Sequence, residues 1–421
     1  MDKAAFLAAI TADEKTHVEF LQSFIQAPSP NPPGDTVQAA SVIREYLSGH
    51  GVESETIAPQ ERMPNILSEI TGGSGDGPRV VMNGHIDVFP VAEADAADWT
   101  YGPWSGHNDG TYIHGRGGVD MKAGTAASII AFTYLHKYRA SLRGRVTLAV
   151  VSDEETGGKW GSRWLLEHDA RSRGDCMINA EPGGLQSIRF GEKGSLRLTF
   201  TVKTAGGHGA YTHAFEGANF IVTRLIDRLK SVQDIEPDLD PDLRSHLQRT
   251  DVRDVADEIM GPGAADLFLR PTLNIGTIHG GLKVNMIPEK CVMEADIRLP
   301  IGLDRQAVLD HIHSILEDFP AVTLQVQSAA SNPASHCPAH HPLVDAIAAN
   351  AERVVGRKPL AIPSLGATDT KFWRYLGIPA YVYGVSPDTM AAVNERVAIS
   401  EYLAVIKTHA LAVWDYLGGP P

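Results

Sequence analysis

Residues 145–158, RVTLAVVSDEETGG, join an apolar segment to an acidic one. The first half is rich in β-branched residues, which predicts a buried strand over residues 145–151. The second half carries three adjacent carboxylates before its glycines. Adjacent carboxylates repel one another unless solvent or a cation relieves the repulsion. A solvated turn would satisfy them, but such a turn rarely follows so apolar a strand. The alternative is a cation bound where the strand ends.

Two further apolar segments lie on either side of this strand in the sequence. Residues 79–83 (RVVMN) and 176–179 (CMIN) are short and apolar, as buried strands are. Helical stretches such as 122–138 and 160–168 separate the three strands. Strands that alternate with helices predict a mainly parallel α/β sheet with helices on both faces, and the same alternation resumes after residue 335.

The pattern changes near residue 192, where strictly alternating strands begin. A strand, a helix, two strands, a helix and a strand follow one another over residues 195–203, 216–230, 272–278, 290–299, 303–317 and 321–327. This order is typical of a ferredoxin-like α+β domain. We therefore predict a catalytic α/β domain of residues 1–191 and 331–421, with residues 192–330 inserted as a lid and dimerisation domain.

Composition excludes several classes of protein. The chain has 421 residues with a net charge of −14, which argues against nucleic acid as a partner. No apolar run reaches the roughly 18 residues of a membrane span. The first residues predict an amphipathic helix rather than a secretory signal. Three widely spaced cysteines predict no disulfide framework, and a cytoplasmic location is expected.

Candidate ligands for a metal ion follow the predicted strands and a glycine-rich turn. His85 is the second residue of the motif GHIDV. A neutral imidazole is a good ligand for divalent transition metals. The carboxylate of Asp87 would then orient the ring through its second nitrogen. Asp120 follows the glycines of GRGGVD and could bridge two ions, although an aspartate there also suits a helix N-cap.

Carboxylates after two more strands complete this set. We interpret Glu155 as a metal ligand and Glu154 as the general base that deprotonates the attacking water. Glu181, in NAEP, again follows a strand directly. In open α/β sheets, ligands bind at the carboxyl ends of the strands. Because His85 and these glutamates all occupy such ends, a shared metal site is a better interpretation than separate structural roles.

The motifs GHIDV, DGTYIHGRGGVDMKAG, SDEETGG and AEPGG resemble, in order and spacing, a metallopeptidase and deacylase family. That family includes acetylornithine deacetylase, succinyl-diaminopimelate desuccinylase, aminoacylase and glutamate carboxypeptidase, and the resemblance spans about residues 15–415. It implies a two-metal site with His85 and Glu181 on one ion, Glu155 on the other and Asp120 bridging. It also implies that Glu154 is the base.

The resemblance extends to residues that would contact the substrate. His208, in GHGAY, corresponds to a histidine that polarises the substrate carbonyl, often across a dimer interface. Asn285 and Arg298 resemble residues that bind a substrate carboxylate, and Gly366 and Thr368 lie in a segment that resembles a substrate-contacting loop. Simpler interpretations are a glycine-flanked loop for His208 and a strand-end ion pair for Arg298.

One position departs from the family pattern. The family has a histidine four residues before an acidic residue in the loop after the penultimate strand, and here that position is Ala391, before Glu395. The second ion would then have only Glu155, the shared Asp120 and water. We therefore expect one firmly defined site per subunit for a divalent transition metal such as Zn, Mn or Co.

These features predict a hydrolase that cleaves a C–N bond, amide or amine, in a small carboxylate-bearing substrate through metal-activated water and a glutamate base. An aminohydrolase that deaminates an activated aromatic amine or amidine with a single labile metal is the first alternative. A catalytically silent relative that binds a metabolite is the second. We expect a homodimer or higher homo-oligomer, paired through residues 192–330, with neither nucleic acid nor membrane as a partner.

Overall fold

The structure, a computed structural model, describes residues 1–421. Its strands, in chain order, are β1 (Glu55–Ile57), β2 (Asn65–Thr71), β3 (Arg79–His85), β4 (His107–Asn108), β5 (Tyr112–His114), β6 (Arg145–Val151), β7 (Cys176–Asn179), β8 (Ser187–Glu192), β9 (Gly194–Lys203), β10 (Gly207–His208), β11 (Thr272–Gly280), β12 (Met286–Ile287), β13 (Lys290–Leu299), β14 (Val322–Val326), β15 (Ser335–His336), β16 (Leu360–Ser364), β17 (Ala380–Val382) and β18 (Arg396–Ala398).

The α-helices, in chain order, are α1 (Lys3–Ala12), α2 (Glu14–Ile25), α3 (Val37–Gly49), α4 (Lys122–Lys137), α5 (Ser162–His168), α6 (Ala218–Leu229), α7 (Pro241–Gln248), α8 (Thr250–Met260), α9 (Arg305–Leu316), α10 (Pro342–Val355), α11 (Thr370–Tyr375) and α12 (Ile399–Tyr416). None of them combines the length and the apolarity that crossing a bilayer requires.

The larger sheet has nine strands in the order β1-β2-β6-β3-β7-β17-β8-β15, and β16 pairs with β8. Its central strands β6, β3, β7 and β17 run parallel, so their carboxyl ends meet at one edge. From Val146 onward β6 is buried on both faces, because helices cover the sheet on both sides, and this explains its unbroken apolar sequence. The predicted mainly parallel α/β sheet is confirmed.

The smaller sheet has the order β11-β13-β9-β14, and all of its pairings are antiparallel. Helices α6 and α9 cover one face and enclose a separate core of 21 buried residues, which includes Leu198, Phe200 and Ile297. The alternation seen in the sequence follows from this packing, because one face of each strand meets the helices and the other is left partly open. The predicted ferredoxin-like order of elements is what the chain adopts.

The polar segment before β11 packs differently from the rest of the inserted region. Leu247, Val252 and Phe268, on α7, on α8 and just after α8, belong to the core of the larger sheet rather than to that of the smaller one. The predicted boundaries, 192 and 330, therefore assign this helical segment to the lid domain, although it contacts the core of the larger sheet. Amphipathic helices show which of their faces is buried, but not which core they are buried against. The division of the chain into domains stays a prediction.

Helix α4 is buried along nearly its whole length and lies against the strand ends that carry polar residues. Gly124 permits this close approach, since a Cβ there would lie 2.1 Å from the carbonyl oxygen of Ala180. Thr125, on the next position, donates from its hydroxyl to the carbonyl of His85 at 2.6 Å. The helix therefore fixes two neighbouring strand ends against each other.

Candidate metal centre

Five side chains converge where strands β3, β6 and β7 end. One group comprises His85, Glu154 and Glu181, and a second comprises His85, Asp120 and Glu155. In each group the ligand atoms lie within 4.8 Å of one another. His85 belongs to both groups, so its imidazole stands at the centre of the cluster. The structure thus brings together all of the metal ligands and the base expected from the sequence.

His85 is buried at the end of β3 and presents its Nε2 atom to the carboxylates. This atom lies 3.2 Å from Oδ1 of Asp120 and 3.3 Å from Oε1 of Glu181, but it makes no aligned hydrogen bond. The other ring nitrogen, Nδ1, is 2.8 Å from the main-chain carbonyl of Asp87, to which it donates if protonated. Although burial alone would lower it, the surrounding carboxylates, Glu181 first among them, raise the pKa of His85 well above its ordinary value, so the ring is charged in the metal-free protein. To bind an ion it would give up the proton on Nε2 and keep the one on Nδ1.

Asp87 lies beside the ring of His85 and also holds the acidic turn after β6. Its Oδ1 atom is 3.4 Å from Nδ1 of His85, and its own carbonyl oxygen is nearer, at 2.8 Å. Oδ1 also accepts the main-chain N–H of Glu154 at 3.2 Å, and Oδ2 accepts that of Glu155 at 3.1 Å. Asn31 donates to Oδ2 as well, at 2.9 Å. The carboxylate of Asp87 therefore links the end of β3 to the acidic turn after β6, and its role as orienter of the His85 ring stays a prediction.

A chain of side-chain amides positions Glu181. The main-chain N–H of Glu181 donates to Oδ1 of Asn179 at 2.6 Å. Asn179 in turn donates to Oδ1 of Asn83 at 2.9 Å, and Asn83 donates to the carbonyl of Ala149 at 2.9 Å. These residues lie on β7, β3 and β6, so the chain runs across three strands. Because this series of hydrogen bonds is buried and fully connected, it fixes the direction of the backbone after β7.

Asp120 lies in the loop between β5 and α4, and its side chain does not cap the helix. The N-cap position is Met121, with no side-chain hydrogen bond to the first turn. Asp120 contacts His85 instead, which supports the metal interpretation over the simpler one. The main-chain N–H of Asp120 donates to Oε1 of Glu395 at 3.1 Å.

The carboxylates strongly perturb one another because they are buried together. Burial raises the pKa of Glu155 to about 10, and the nearby Asp120 adds to the shift. Burial also raises the pKa of Glu181 to about 7, against the charge of His85, and that of Glu154 well above its ordinary value, against the charge of Lys371. A divalent cation would relieve this cost by favouring the charged forms.

The donor set fits a divalent metal ion. Nε2 of His85 and Oε1 of Glu155 are both buried and have no hydrogen-bond partner. An imidazole nitrogen together with carboxylate oxygens is a common ligand combination for transition metals. Orphaned buried atoms of this kind are costly unless something binds them. We therefore regard this cluster as the candidate metal centre.

The predicted substrate contacts are not all gathered at this centre. His208 is exposed on the ribbon of β10 and β12, where its Nδ1 accepts the N–H of Ala210 at 3.2 Å. Asn285 is exposed in the loop before β12. Arg298 pairs with Asp296 at 3.0 Å, which is the strand-end ion pair that the sequence also allowed. The structure of one chain thus leaves these three residues on the smaller sheet and its loops.

The loop with Gly366 and Thr368 lies beside α11, and its donors have internal partners. The N–H of Gly366 donates to the hydroxyl of Ser364 at 3.2 Å. The N–H and the hydroxyl of Thr368 both donate to Oε2 of Glu192, at 3.2 and 3.0 Å. Arg374 neutralises Glu192 at 3.2 Å. Both predicted contacts are therefore held by the protein itself in this structure.

Two residues at the start of α11 were not among the predicted site residues. Asp369, the N-cap residue of α11, is buried, accepts from the hydroxyl of Ser162 at 2.6 Å, and leaves its other oxygen unpartnered. Lys371, in the first turn of α11, is buried and donates to the carbonyl of Thr368 at 2.7 Å, and its charge acts on Glu154 and Asp369. An Asp-x-Lys sequence at the start of a short helix was the available signal, but burial cannot be read from so short a segment.

This fold and this cluster define a metal-dependent hydrolase that acts on carbon–nitrogen bonds. Residues 81–415 match the family described as Peptidase family M20/M25/M40. Because this match covers most of the sequence, the chain belongs to that family. The resemblance drawn from the motifs is confirmed.

Individual relatives agree with this assignment. The chain is 28% identical over 396 residues to succinyl-diaminopimelate desuccinylase 2 of Ruegeria sp. (strain TM1040), covering 90% of each sequence. Its fold is that of the M20 family metallo-carboxypeptidase Sso-CP2 from Sulfolobus solfataricus, with a TM-score of 0.78, 19% identity and coverage of 95% and 99%. It is also that of the YXEP protein of Bacillus subtilis, a dinuclear metal-binding peptidase of the M20 family. That match has a TM-score of 0.67, 18% identity and coverage of 97% and 99%.

Proposed function

We propose that this enzyme hydrolyses the amide bond of a small carboxylate-bearing substrate, such as an N-acyl amino acid or a dipeptide, with Glu154 as the general base. The observation that carries the proposal is that Glu154 stands in one group with His85 and Glu181. Asp87 accepts the main-chain N–H of Glu154 and so fixes the backbone at this residue. The Glu154 side chain takes no part in that hydrogen bond. A glutamate held there has no structural task of its own.

The proposed roles follow from these positions. His85, Asp120 and Glu181 would hold one ion, and Glu155 with Asp120 would be the protein ligands of a second. When bound, a divalent ion supplies Lewis acidity and lowers the pKa of water. Glu154 takes the proton of the attacking water and later delivers it to the leaving nitrogen. His208, supplied by a second copy of the chain, stabilises the negative oxygen that develops on the carbonyl.

The substrate class rests on two considerations. Arg298 and Asn285 offer a guanidinium and an amide for a carboxylate, as the sequence resemblance implies. The relative from Ruegeria is named a desuccinylase, so an N-succinyl amine belongs among the candidates. Thr368 already donates to Glu192 and Arg298 already pairs with Asp296, whereas Asn285 is exposed and has no such partner, so we place the carboxylate contact beside Asn285 on the smaller domain.

A substrate panel tests this function. Metal-free protein is reconstituted with Zn, Mn or Co and assayed with N-acetyl and N-succinyl amino acids, dipeptides and activated aromatic amines. We expect hydrolysis of at least one amide class, dependent on metal and lost in Glu154→Gln. Lys15 and Glu19 form an exposed ion pair, so Glu19→Gln serves as the matched control and should keep full activity. Release of ammonia from the amines alone, with no amide cleaved, would overturn the proposal.

One observation favours the aminohydrolase as the second candidate. Ala391 occupies the position of a ligand in the family pattern, and its side chain is exposed and bears no donor atom. A site with one tightly bound ion and one general base suffices for water to attack the carbon atom that bears an activated amine. The presence of Glu154 in the cluster argues against the third possibility, a silent relative that only binds a metabolite.

We also propose that the enzyme works as a homodimer paired through its smaller domain. A groove of about 1140 Å³ lies on this domain, and none of the candidate metal ligands lines it. Phe220, Leu282 and Val284 line it, and they are 71%, 85% and 101% exposed. Large apolar side chains clustered on a surface mark an interaction site. A second copy would cover them and bring its His208 toward the metal centre.

The proposed setting is the cytoplasm. The three cysteines, Cys176, Cys291 and Cys337, are all buried and unpaired. Free thiols are the usual state in a reducing compartment, and this supports the proposal.

A further inference from the structure

Glu395 is a buried carboxylate outside both groups of candidate ligands. Its Oε1 atom accepts the main-chain N–H of Val119 at 2.8 Å and that of Asp120 at 3.1 Å. Its Oε2 atom accepts from Nη1 of Arg116 at 2.7 Å. One glutamate side chain thus receives three hydrogen bonds from a single loop that lies more than 270 residues away in sequence.

The loop that it holds needs an external anchor. Residues 115–118 read GRGG, and glycines fix the backbone poorly by themselves. Gly117 adopts a φ of +79°, and a Cβ there would lie 2.4 Å from Cγ1 of Val88, so the glycine cannot easily be replaced by a stiffer residue. The loop ends at Asp120, whose Oδ1 lies 3.2 Å from Nε2 of His85. If the backbone of this loop followed a different path, the carboxylate of Asp120 would move with it.

Arg116 neutralises the charge of Glu395 and also restricts the movement of the loop. Its guanidinium pairs with Glu395 and lies over the ring of Trp99, 5.2 Å from the centroid. The two carboxylate oxygens of Glu395 therefore bind the loop at residue 116 and again at residues 119 and 120. Two points of attachment fix both the position and the direction of the peptide that precedes the ligand.

We propose that Glu395 is a positioning residue, which holds Asp120 at the metal centre through the main-chain N–H groups of Val119 and Asp120. This inference rests on the proposed role of Asp120 as a ligand. It also gives the loop from residue 386 to residue 395 a task that does not need a metal ligand at Ala391. The loop has an alanine four residues before Glu395, where the family pattern has a histidine, but it carries the carboxylate that orders Asp120.

Titration of metal-free protein with Co²⁺ tests the inference, with the visible absorption of the bound ion as the readout. Glu395→Gln keeps the shape but can satisfy only one side, because its amide nitrogen must face either Arg116 or the loop N–H groups. Glu401→Gln is the matched control. Glu401 accepts the N–H and the hydroxyl of Ser386, at 2.7 and 2.8 Å, and so anchors the other end of the same loop. Asp120→Asn reports on the ligand itself.

We expect Glu395→Gln to weaken Co²⁺ binding by about 10–100-fold and to alter the absorption spectrum, as losses behind a metal ligand do. Glu401→Gln should keep both the affinity and the spectrum. Glu395→Asp, which keeps the charge but is too short to reach the loop, is measured beside it with the same expectation, because the glutamine oxygen can still accept the N–H groups of Val119 and Asp120. Wild-type affinity and spectrum in Glu395→Asp, with weakened binding in Asp120→Asn, would overturn the inference alone. Wild-type binding in Asp120→Asn would remove the proposed metal site and the inference with it.

Discussion

The main-chain N–H of Glu154 donates to Oδ1 of Asp87 at 3.2 Å, across the gap between the ends of β6 and β3. The same carboxylate accepts the N–H of Glu155 through its other oxygen at 3.1 Å. The candidate base and its neighbouring ligand are therefore set by one residue. Because they are adjacent in sequence but point to different groups, their separate tasks can be tested by changing each side chain alone.

Glu154→Gln should lower kcat by about 10²–10⁴-fold, the usual contribution of a general base. Metal content should hardly change, since Glu154 is surplus to the proposed coordination. Glu155→Gln provides the contrast, because loss of a ligand should reduce metal content as well as activity. Steady-state kinetics together with metal analysis by mass spectrometry separates the two. Near-normal turnover in Glu154→Gln would require Glu154 to be reassigned as structural.

Metal binding should release protons, and its apparent affinity should rise with pH. In the metal-free protein Glu155 has a pKa raised to about 10 and Glu181 one raised to about 7, both through burial. At pH 7 Glu155 therefore carries its proton and Glu181 does so in part. Cation binding needs the carboxylates, so it displaces these protons, and raising the pH from below 7 toward 10 removes the competition.

Calorimetric titrations of metal-free protein in buffers of different ionisation enthalpy measure the protons released per ion. Proton release on ion binding is expected at pH 7, with fewer protons per ion released at pH 9. Affinity that is flat between pH 6 and pH 9, with no proton release, would show that these carboxylates are already ionised before the ion binds.

One firmly bound ion per subunit is expected in the absence of substrate. His85, Asp120 and Glu181 offer an imidazole and two carboxylates, whereas the second ion would have carboxylates and water alone because Ala391 supplies no donor. Carboxylate and water ligands suit hard cations better than zinc. Titration of metal-free enzyme with and without substrate should show a second, weaker site that tightens when substrate is present. Two tightly bound ions without substrate would mean that another residue replaces the missing ligand.

A mixture of His208→Ala and Glu154→Ala subunits should regain activity if the site is shared between two copies. Each variant alone lacks one group, but a hybrid dimer assembles one intact site from the two chains. Random reassociation of a symmetric dimer would restore roughly one quarter of wild-type activity. Val284→Glu places a charge in the apolar groove and should abolish the recovery by preventing pairing. A monodisperse active monomer in solution would rule out the shared site.

Much of the fold follows from hydrophobic pattern. Strands β6, β7 and β13 and helix α9 lie within the residues predicted for them, because each is bounded by a sharp change in polarity. Strands β2, β8 and β16 were not predicted. Burial on both faces or a short length removes the alternation that marks a strand, and their identity depends on the neighbours with which they pair.

The sequence by itself predicted which side chains form the candidate metal centre, because His85, Glu155 and Glu181 each follow an apolar strand and parallel strands end at a common edge. It also determined the family, since motifs in fixed order survive at low identity. Only the tertiary structure decided how these side chains are held. Asp87 also supports the acidic turn after β6, and Glu395 anchors the loop of Asp120 from the far end of the chain. These contacts are hydrogen bonds between groups distant in sequence. Their existence depends on distances of about 3 Å that no local pattern encodes.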